Sequence, residues 1–263
     1  FKGGSGLKLC SESCLSKFVP VFITSFTAAE RLMELEDIPQ EEQQEPLILK
    51  GPVAIKLDKV KFQYTSKSRL IFNNFNYSFP AGSVTAIVGK TGAGKTTLIR
   101  LLLSLIKPCE GTVSMVDASG KSYTMEANMR ANFSYVPQGN TLFSGTIRSN
   151  LLQGNPHATE EDIKTALYLA DAEFVYKKSN GLDTICGESG DGLSEGQAQR
   201  IAIARALMSK GNIYIFDEAT SSLDPETEEN VLKRIITHYP NRTLIFITHR
   251  PLVLKYADQK LEL

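Results

Sequence analysis

The sequence has no excess of charge of either sign, because 29 Lys and Arg residues balance 29 Asp and Glu residues in 263 positions. Proteins that hold nucleic acid or an anionic membrane surface through charge alone are usually basic, so the balance argues against a nucleic-acid partner. There are only four cysteines, and a chain of this length can bury a sizeable core without disulfides. Their scattered positions fit a reducing compartment. Cys10 and Cys14 could share a helix face, but no second Cys or His pair lies nearby to complete a metal site.

Long apolar segments are also missing from the sequence. The longest apolar run near the start, residues 18–29, contains Pro20 and several hydroxyl side chains. It is shorter than the roughly 20 apolar residues that a membrane helix requires, so no complete transmembrane helix is predicted. The chain begins with Phe1 and shows no secretory signal pattern. We therefore expect it to be a fragment of a longer protein.

The first 51 residues are predicted to be an N-terminal segment and linker. Residues 3–6 are rich in glycine and indicate flexibility, and residues 7–27 have no assignable pattern. Residues 28–36 are strong helix formers, and the following stretch, with Pro39 and Pro46 among acidic and amide side chains, should end the helix. The globular domain is predicted to span residues 52–263.

From residue 52 onward, apolar β-branched segments alternate with helical patterns, which predicts a parallel sheet covered on both faces and an α/β fold class. Residues 111–124 read as a hairpin beside this sheet. The main predicted strands are residues 54–64, 83–89, 213–216 and 243–249, and the main predicted helices are residues 95–106 and 160–170.

A phosphate-binding loop is the strongest motif in the chain. The segment from Gly89 to Thr96 fits G-x-x-x-x-G-K-[ST], between an apolar strand and a helix. Glycines let the backbone N–H groups approach phosphate oxygens, Lys95 adds a positive charge for the β and γ phosphates, and Thr96 offers a hydroxyl to Mg²⁺. A chance match in a chain of this length occurs on the order of once in a hundred. The predicted ATP-binding residues here are Gly89, Lys90, Thr91, Gly92, Ala93, Gly94, Lys95, Thr96 and Thr97.

Two carboxylates, Asp217 and Glu218, follow the apolar strand 213–216. The carboxyl ends of parallel strands are where open α/β sheets place their ligands. Alone, the pair could be a solvated acidic turn, but a phosphate loop in the same chain favours a functional role. We predict that Asp217 holds Mg²⁺ and that Glu218 orients or deprotonates the attacking water.

A third motif carries a family resemblance. The sequence Leu193, Ser194, Glu195, Gly196, Gln197, followed by AQRIAIARAL, resembles the signature motif of ATP-binding cassette (ABC) proteins. On its own it would equally permit an ordinary capped core helix. The resemblance implies a P-loop NTPase (RecA-like) core with a mainly parallel sheet, an antiparallel β subdomain, and an α-helical signature subdomain at about residues 139–205.

The same resemblance implies that two such domains meet head to tail. The signature of one domain then covers the γ-phosphate that the other domain's phosphate loop holds. The family usually has Gly at the position of Glu195. A carboxylate near a phosphate would weaken closure if it pointed inward, and we expect it to point outward.

Further positions match the family one by one. Tyr64 resembles the aromatic residue that stacks on adenine, and Gln138 resembles the glutamine that reaches Mg²⁺ and the attacking water. His249 resembles the switch histidine, and the segment that ends at Asp224 resembles the loop through which the two sites of the family communicate. Taken singly, Gln138 or His249 would more often be structural, and Tyr64 would be a buried core residue about as often as an adenine contact. The predicted catalytic residues are Lys95, Gln138, Glu218 and His249, and the predicted Mg²⁺ ligands are Thr96, Gln138 and Asp217.

Three segments have the pattern of an exporter. LFSGTIRSNL follows Gln138, residues 184–188 resemble a segment that touches the membrane domain, and AAERLMELED resembles the junction with a last membrane helix. The resemblance implies ATP and Mg²⁺ as cofactors, a transmembrane domain of the same transporter as partner, and a second ATP-binding domain, identical or paralogous. It also implies a position on the cytoplasmic face of a plasma or inner membrane. One departure is that family members usually continue beyond YADQKLEL.

Two other functions remain open from the sequence. Soluble ABC proteins that act on DNA or ribosomes carry long coiled-coil insertions or two cassettes in one chain, and neither feature occurs here. A regulatory cassette would bind ATP but hydrolyse it poorly. Glu218 and His249 argue against that reading, whereas Glu195 leaves it possible.

Overall fold

The computed structural model describes residues 6–36, 41, 44–139, 141–187 and 192–263. It divides into two units, residues 1–43 and 44–263, which are described separately. The side chains of Cys10 and Cys14, most of the linker with Pro39, and Glu188 of the segment 184–188 lie outside the described part.

The first unit contains one long helix, α1 (Gly6–Glu36). It begins far before residue 28, where the sequence first predicted helix, and it contains Pro20. Proline removes one backbone hydrogen bond from a helix interior. The hydroxyls of Thr24 and Thr27 donate to the carbonyl oxygens one turn earlier, of Pro20 and Ile23. Among the described helices, none combines the length and the apolar character needed to cross a membrane.

The second unit is built on a five-stranded parallel sheet with the strand order β11-β3-β10-β9-β6. Because all five strands run in one direction, their carboxyl ends meet at one edge, where the loops carry the predicted functional residues. The strands are β3 (Val84–Val88), β6 (Phe133–Val136), β9 (Ile213–Asp217), β10 (Thr243–Ile247) and β11 (Gln259–Glu262).

Both faces of the parallel sheet are buried at its three central strands, which explains why β3, β9 and β10 are mostly apolar. In β9, Tyr214 and Phe216 pack into one hydrophobic cluster, and Ile213 and Ile215 pack into the cluster on the opposite face. Successive side chains of a strand point to opposite faces, so both sets require apolar residues. Phe216 also stacks on Phe246 of β10, with ring centroids 4.6 Å apart. These contacts fix the position of β9 in the sheet, and with it the position of Asp217 at the carboxyl end of the strand.

A four-stranded antiparallel sheet of order β2-β1-β4-β5 covers one of these clusters. The hairpin predicted in residues 111–124 is confirmed, with Met115 paired with Tyr123. Its turn is held by Asp117, whose carboxylate accepts from the backbone N–H groups of Ser119 and Lys121. The strands are β1 (Ala54–Phe62), β2 (Phe72–Phe79), β4 (Glu110–Val116) and β5 (Ser122–Thr124).

Helices cover both faces of the parallel sheet. The first of them ends at Leu102, before the predicted end at Ile106, because Ser104 takes a left-handed conformation with φ 50°. The α/β fold class, with a parallel sheet, an antiparallel sheet and a helical part, is confirmed. The helices are α2 (Lys95–Leu102), α3 (Ile147–Leu152), α4 (Glu160–Leu169), α5 (Glu195–Leu207), α6 (Pro225–His238) and α7 (Pro251–Tyr256), and a short ribbon joins β7 (Gly145–Thr146) to β8 (Ile185–Cys186).

Candidate ATP-binding and hydrolysis site

The loop between β3 and α2 has the backbone of a phosphate cradle. Gly92 and Gly94 have φ angles of 81° and 106°, which side-chain-bearing residues rarely adopt. A Cβ atom at Gly94 would lie 2.9 Å from the side chain of Ile71, so glycine is required there for space as well as conformation. The chain turns from Gly94 directly into α2, which leaves the first N–H groups of the helix facing the loop.

Lys95, the first residue of α2, folds back across this loop. Its ammonium nitrogen Nζ donates to the carbonyl oxygen of Gly89 at 2.6 Å and lies 3.1 Å from Nε2 of His249. His249 follows β10, the neighbouring strand of the sheet. The lysine and the histidine of two separate motifs therefore meet at the carboxyl edge.

The two carboxylates at the end of β9 lie in different environments. Asp217 accepts a hydrogen bond from the hydroxyl of Tyr135, at 3.1 Å from Oδ2. The pKa of Asp217 is raised above its ordinary value, chiefly because burial disfavours the charged carboxylate. The Tyr135 hydrogen bond and the charge of Lys95 lower this pKa, and the charge of Glu218 raises it further. A nearby cation would stabilise the ionised form.

Glu218 has its two carboxylate oxygens on two different partners. Gln138 donates from Nε2 to Oε2 of Glu218 at 2.9 Å, and Nε2 of His249 lies 3.4 Å from Oε1. The backbone of Glu218 has φ 49°, in the left-handed region, and its N–H donates to the carbonyl of Ile247. Strained backbone of this kind persists where the surrounding structure over-determines it, and it is common at functional sites.

These side chains surround one cavity of about 400 Å³ at the carboxyl edge of the sheet. Gly89, Lys90 and Ala93 border an adjoining opening together with Arg69. The phosphate loop and the acidic end of β9 therefore border the same cavity. Gln138, after β6, and His249, after β10, border it as well. Its lining residues are Ile71, Thr91, Gly92, Gly94, Lys95, Thr96, Thr97, Gln138, Asp217, Glu218 and His249.

Tyr64 stands at the margin of this cavity. Its hydroxyl lies 3.2 Å from Oγ1 of Thr97 and accepts a hydrogen bond from Arg100 at 3.0 Å. The ring of Phe62 contacts it edge-on, with centroids 5.1 Å apart, and 48% of Tyr64 stays exposed. The exposed part of the ring provides an apolar surface beside the start of α2, as the adenine prediction requires.

The signature residues are not among the described residues that line the cavity. Ser194 caps α5: its hydroxyl accepts from the N–H of Gln197, and the Gln197 side chain accepts from the N–H of Ser194. Gly196 lies against the loop after β9, where an added Cβ would stand 3.0 Å from the carbonyl oxygen of Ser222. Glu195 is exposed and accepts a hydrogen bond from the Ser222 hydroxyl. The signature thus contacts the loop that leads to Asp224 in the same chain.

Asp224, predicted to serve communication between two sites, caps α6 by accepting from the N–H of Thr227 at 3.0 Å. The loop before it is held by residues that the sequence analysis did not identify. Gln199 of α5 accepts from the N–H of Ser222, and Arg250 donates to the carbonyl oxygens of Ser221 and Leu223. Glutamine and arginine at these positions gave no local signal, because their partners are distant in sequence.

Comparison with known proteins identifies the family. The sequence pattern of the ABC transporter family matches residues 72–221, more than half of the chain. An uncharacterised ABC transporter ATP-binding protein, y4gM, of Sinorhizobium fredii is 42% identical over 79% of this chain and 35% of that protein. A β-(1→2)glucan export ATP-binding/permease protein, NdvA, of Bartonella bacilliformis is 36% identical over 98% of this chain and 44% of that protein.

A solved structure of a bacterial Atm1-family ABC exporter with ATP bound superimposes with a TM-score of 0.80 and 34% identity, over 89% of this chain and 42% of that one. The chain therefore spans less than half the length of these relatives. Sequence, strand order and the convergence of Lys95, Asp217 and Glu218 at one cavity agree with this similarity. The chain belongs to the ABC transporter family and is similar to the ATP-binding domains of ABC exporters.

Proposed function

We propose that this chain is the ATP-driven motor of an exporter, in which ATP closes a head-to-tail pair of domains and hydrolysis reopens it. The observation that carries the proposal is the convergence of the phosphate loop, Asp217, Glu218, Gln138 and His249 on one cavity. Each of these groups has a separate task in transferring a phosphoryl group to water.

ATP binding is assigned to the phosphate loop and to Tyr64. The loop N–H groups and the N-terminus of α2 receive the phosphate oxygens, and Lys95 exchanges its bond to the Gly89 carbonyl for the β and γ phosphates. Adenine stacks on the exposed part of the Tyr64 ring. The charged end of the nucleotide thereby comes next to Glu218.

The residues at the cavity fit a magnesium ion. Thr96, Gln138 and Asp217 offer a hydroxyl, an amide and a carboxylate, which are the oxygen donors that Mg²⁺ prefers. The raised pKa of Asp217 fits as well, since a buried carboxylate gains from a neighbouring cation. When bound, the ion neutralises charge on the phosphates during transfer. Tyr135, by its hydrogen bond to Oδ2, orients the Asp217 carboxylate.

Hydrolysis is assigned to Glu218 as the group that orients and deprotonates the attacking water. Gln138 holds its carboxylate by a hydrogen bond to Oε2, and His249 lies beside Oε1, so the carboxylate is oriented before the substrate arrives. His249 also lies next to Lys95 and is placed to contact the γ-phosphate. Lys95 and His249 together thus stabilise the negative charge that develops in the transition state.

Dimer closure is assigned to the signature. α5 begins at Glu195 with its N-terminus exposed, and a helix N-terminus favours a phosphate by its N–H groups and its dipole. In the proposed pair, this end of one chain meets the γ-phosphate of the other, and the loop ending at Asp224 lies between the two sites. The partner chain is a second ATP-binding domain, identical or paralogous.

The membrane partner is proposed from the relatives, which include an export ATP-binding/permease protein. Residues 6–36 then belong to the junction with a transmembrane domain, and the ATP-binding part lies on the cytoplasmic face of the membrane. Motion of the domains opens and closes the export pathway.

The test is ATP-dependent dimerisation of the Glu218→Gln variant, measured by light scattering with Mg²⁺ and ATP. Removing the base should trap a closed dimer, because binding is retained while hydrolysis stops. The Lys95→Ala variant should stay monomeric, since its γ-phosphate contact is lost. A Glu218→Gln protein that binds ATP but remains monomeric at high concentration would exclude closure between two identical chains.

A further inference from the structure

The first turn of α5 carries a carboxylate at the end that the proposed function assigns to a phosphate. Glu195 is the first residue of α5, exposed, and negatively charged. A helix N-terminus attracts its own carboxylates as well as external anions. Without a restraint, the Glu195 side chain could turn over the N-terminus and compete with an incoming phosphate or repel it.

Ser222 supplies that restraint. The hydroxyl of Ser222 donates to Oε1 of Glu195 at 2.5 Å, which draws the carboxylate towards the loop after β9. The bond joins two residues 27 positions apart in sequence, so it depends on how the loop and α5 pack.

The packing leaves Ser222 little freedom to move away. Its N–H donates to Oε1 of Gln199 at 3.0 Å. Nε2 of Gln199 in turn donates to the hydroxyl of the neighbouring Ser221 at 3.2 Å. Gln199 is only 4% exposed. Gly196 allows the Ser222 carbonyl to approach the helix closely. These contacts therefore hold the Ser222 hydroxyl next to the Glu195 carboxylate.

We propose that Glu195 and Ser222 form a latch: Ser222 holds the Glu195 carboxylate away from the N-terminus of α5, which keeps that end competent for the partner's γ-phosphate. Ser222 is then a positioning residue for closure, and it acts through the Glu195 carboxylate. The inference rests on the proposed function, since it assumes that α5 faces a phosphate across a dimer.

The latch predicts a dependence of one substitution on another. In the Glu218→Gln background, Ser222→Ala should weaken ATP-dependent dimerisation by about fivefold, because the freed carboxylate repels the phosphate. The same Ser222→Ala change should have less than about a twofold effect when Glu195→Gln is also present, because no charge remains to repel the phosphate. Raising the salt concentration should reduce the defect of the single variant through screening.

The measurements are the dimer dissociation constant by analytical ultracentrifugation and the binding of a fluorescent ATP analogue to the monomer. The analogue should bind equally to all variants, since Glu195 and Ser222 do not line the cavity. An equal loss of dimerisation by Ser222→Ala with Glu or with Gln at position 195 would overturn the latch, because it would show that Ser222 acts on the partner directly.

Hydrogen exchange in the monomer tests the latch apart from dimerisation. Ser222→Ala should increase amide exchange in residues 219–224, and Glu195→Ala should increase it to the same extent, without further increase in the double variant. Unchanged exchange in both single variants would overturn the hydrogen bond. A Glu218→Gln parent that stays monomeric would instead exclude closure between two identical chains, and hydrogen exchange would still show whether the Glu195–Ser222 bond forms.

Discussion

Arg250 donates to the buried carboxylate of Glu228 at 3.0 Å, and this pair connects the loop after β10 with α6. Glu228 is 2% exposed and accepts a second hydrogen bond from Thr220 at 2.7 Å. Arg250 follows His249 directly and also donates to the carbonyl oxygen of Leu223 at 2.9 Å. The loop that begins with Glu218 and the loop that carries His249 therefore share one set of hydrogen bonds.

Replacing Arg250 by Ala should destabilise the protein strongly. The change leaves the Glu228 carboxylate buried without its cation, and we expect the free energy of unfolding to fall by about 2–4 kcal/mol. Urea unfolding followed by circular dichroism measures this. The control is Arg148→Ala, which removes a more exposed pair with Glu160 and should cost less than about 1 kcal/mol. Equal losses in the two variants would contradict the role given to Arg250.

Replacing Tyr135 by Phe should raise the Mg²⁺ concentration required for ATP binding and hydrolysis. The change removes the hydrogen bond that orients Asp217 while keeping the ring in the core. Loss of such a supporting bond should weaken Mg²⁺ affinity by about tenfold. Titration of Mg²⁺ against a fluorescent ATP analogue measures the shift. Tyr123→Phe removes a hydroxyl bonded to Asp117 in the hairpin and should leave the titration unchanged. A normal Mg²⁺ titration of the Tyr135→Phe variant would show that the Tyr135 hydroxyl does not contribute to Mg²⁺ binding.

Replacing Gly94 by Ala should abolish ATP binding. The substitution forces a side chain into φ 106° and places its Cβ 2.9 Å from Ile71, at the entrance to α2. Gly120→Ala is a matched control, because it has φ 85° and open space around the added Cβ. The control should lose about 1 kcal/mol of stability through backbone strain and bind ATP normally. Equilibrium binding and thermal unfolding of both variants test the comparison. Normal ATP binding by Gly94→Ala would show that the loop tolerates displacement.

Asp162 should make the stability depend on pH in the acid range. Its carboxylate accepts from the N–H and the hydroxyl of Thr159, and it pairs with Lys210 at 3.2 Å. These contacts lower the pKa of Asp162 to about 2 in the folded protein, from an ordinary value of 3.8. Because the folded-state pKa is depressed, the carboxylate stabilises the protein above pH 3.8 and loses this contribution as the pH falls towards 2.

The Asp162→Asn variant should therefore be less stable than the parent at pH 6, and the difference should shrink at pH 3 and below. Urea unfolding at both pH values measures the change. Glu161→Gln, at an exposed carboxylate in the same turn, should show little difference at either pH. A constant difference between Asp162→Asn and the parent over this range would show that protonation of Asp162 is not involved.

The sequence could predict those parts of the site that are formed by residues close together along the chain. The phosphate loop requires a strand, glycines, a lysine and a helix in immediate succession, and the segment from Val84 to Leu102 contains all of them. Asp217 and Glu218 were predicted from the apolar strand that precedes them. A parallel sheet then brings these strand ends together, whatever the loops between them contain.

Other features depend on packing between distant segments. Tyr135, Gln199 and Arg250 have partners that are 82, 23 and 22 positions away, respectively, and no local pattern marks them. The length of α1 was missed because Pro20 lies inside it, and proline usually ends a predicted helix. The end of α2 was also missed, since the left-handed turn at Ser104 uses a residue with no preference for that conformation.

The left-handed backbone of Glu218 bears on directed evolution of this domain. At φ 49°, glycine or asparagine would fit the backbone with less strain than glutamate. A library selected for heat resistance alone should therefore enrich glycine or asparagine at position 218, and its most robust members would be inactive. Engineering of a thermostable variant needs turnover as a second selection criterion at this position.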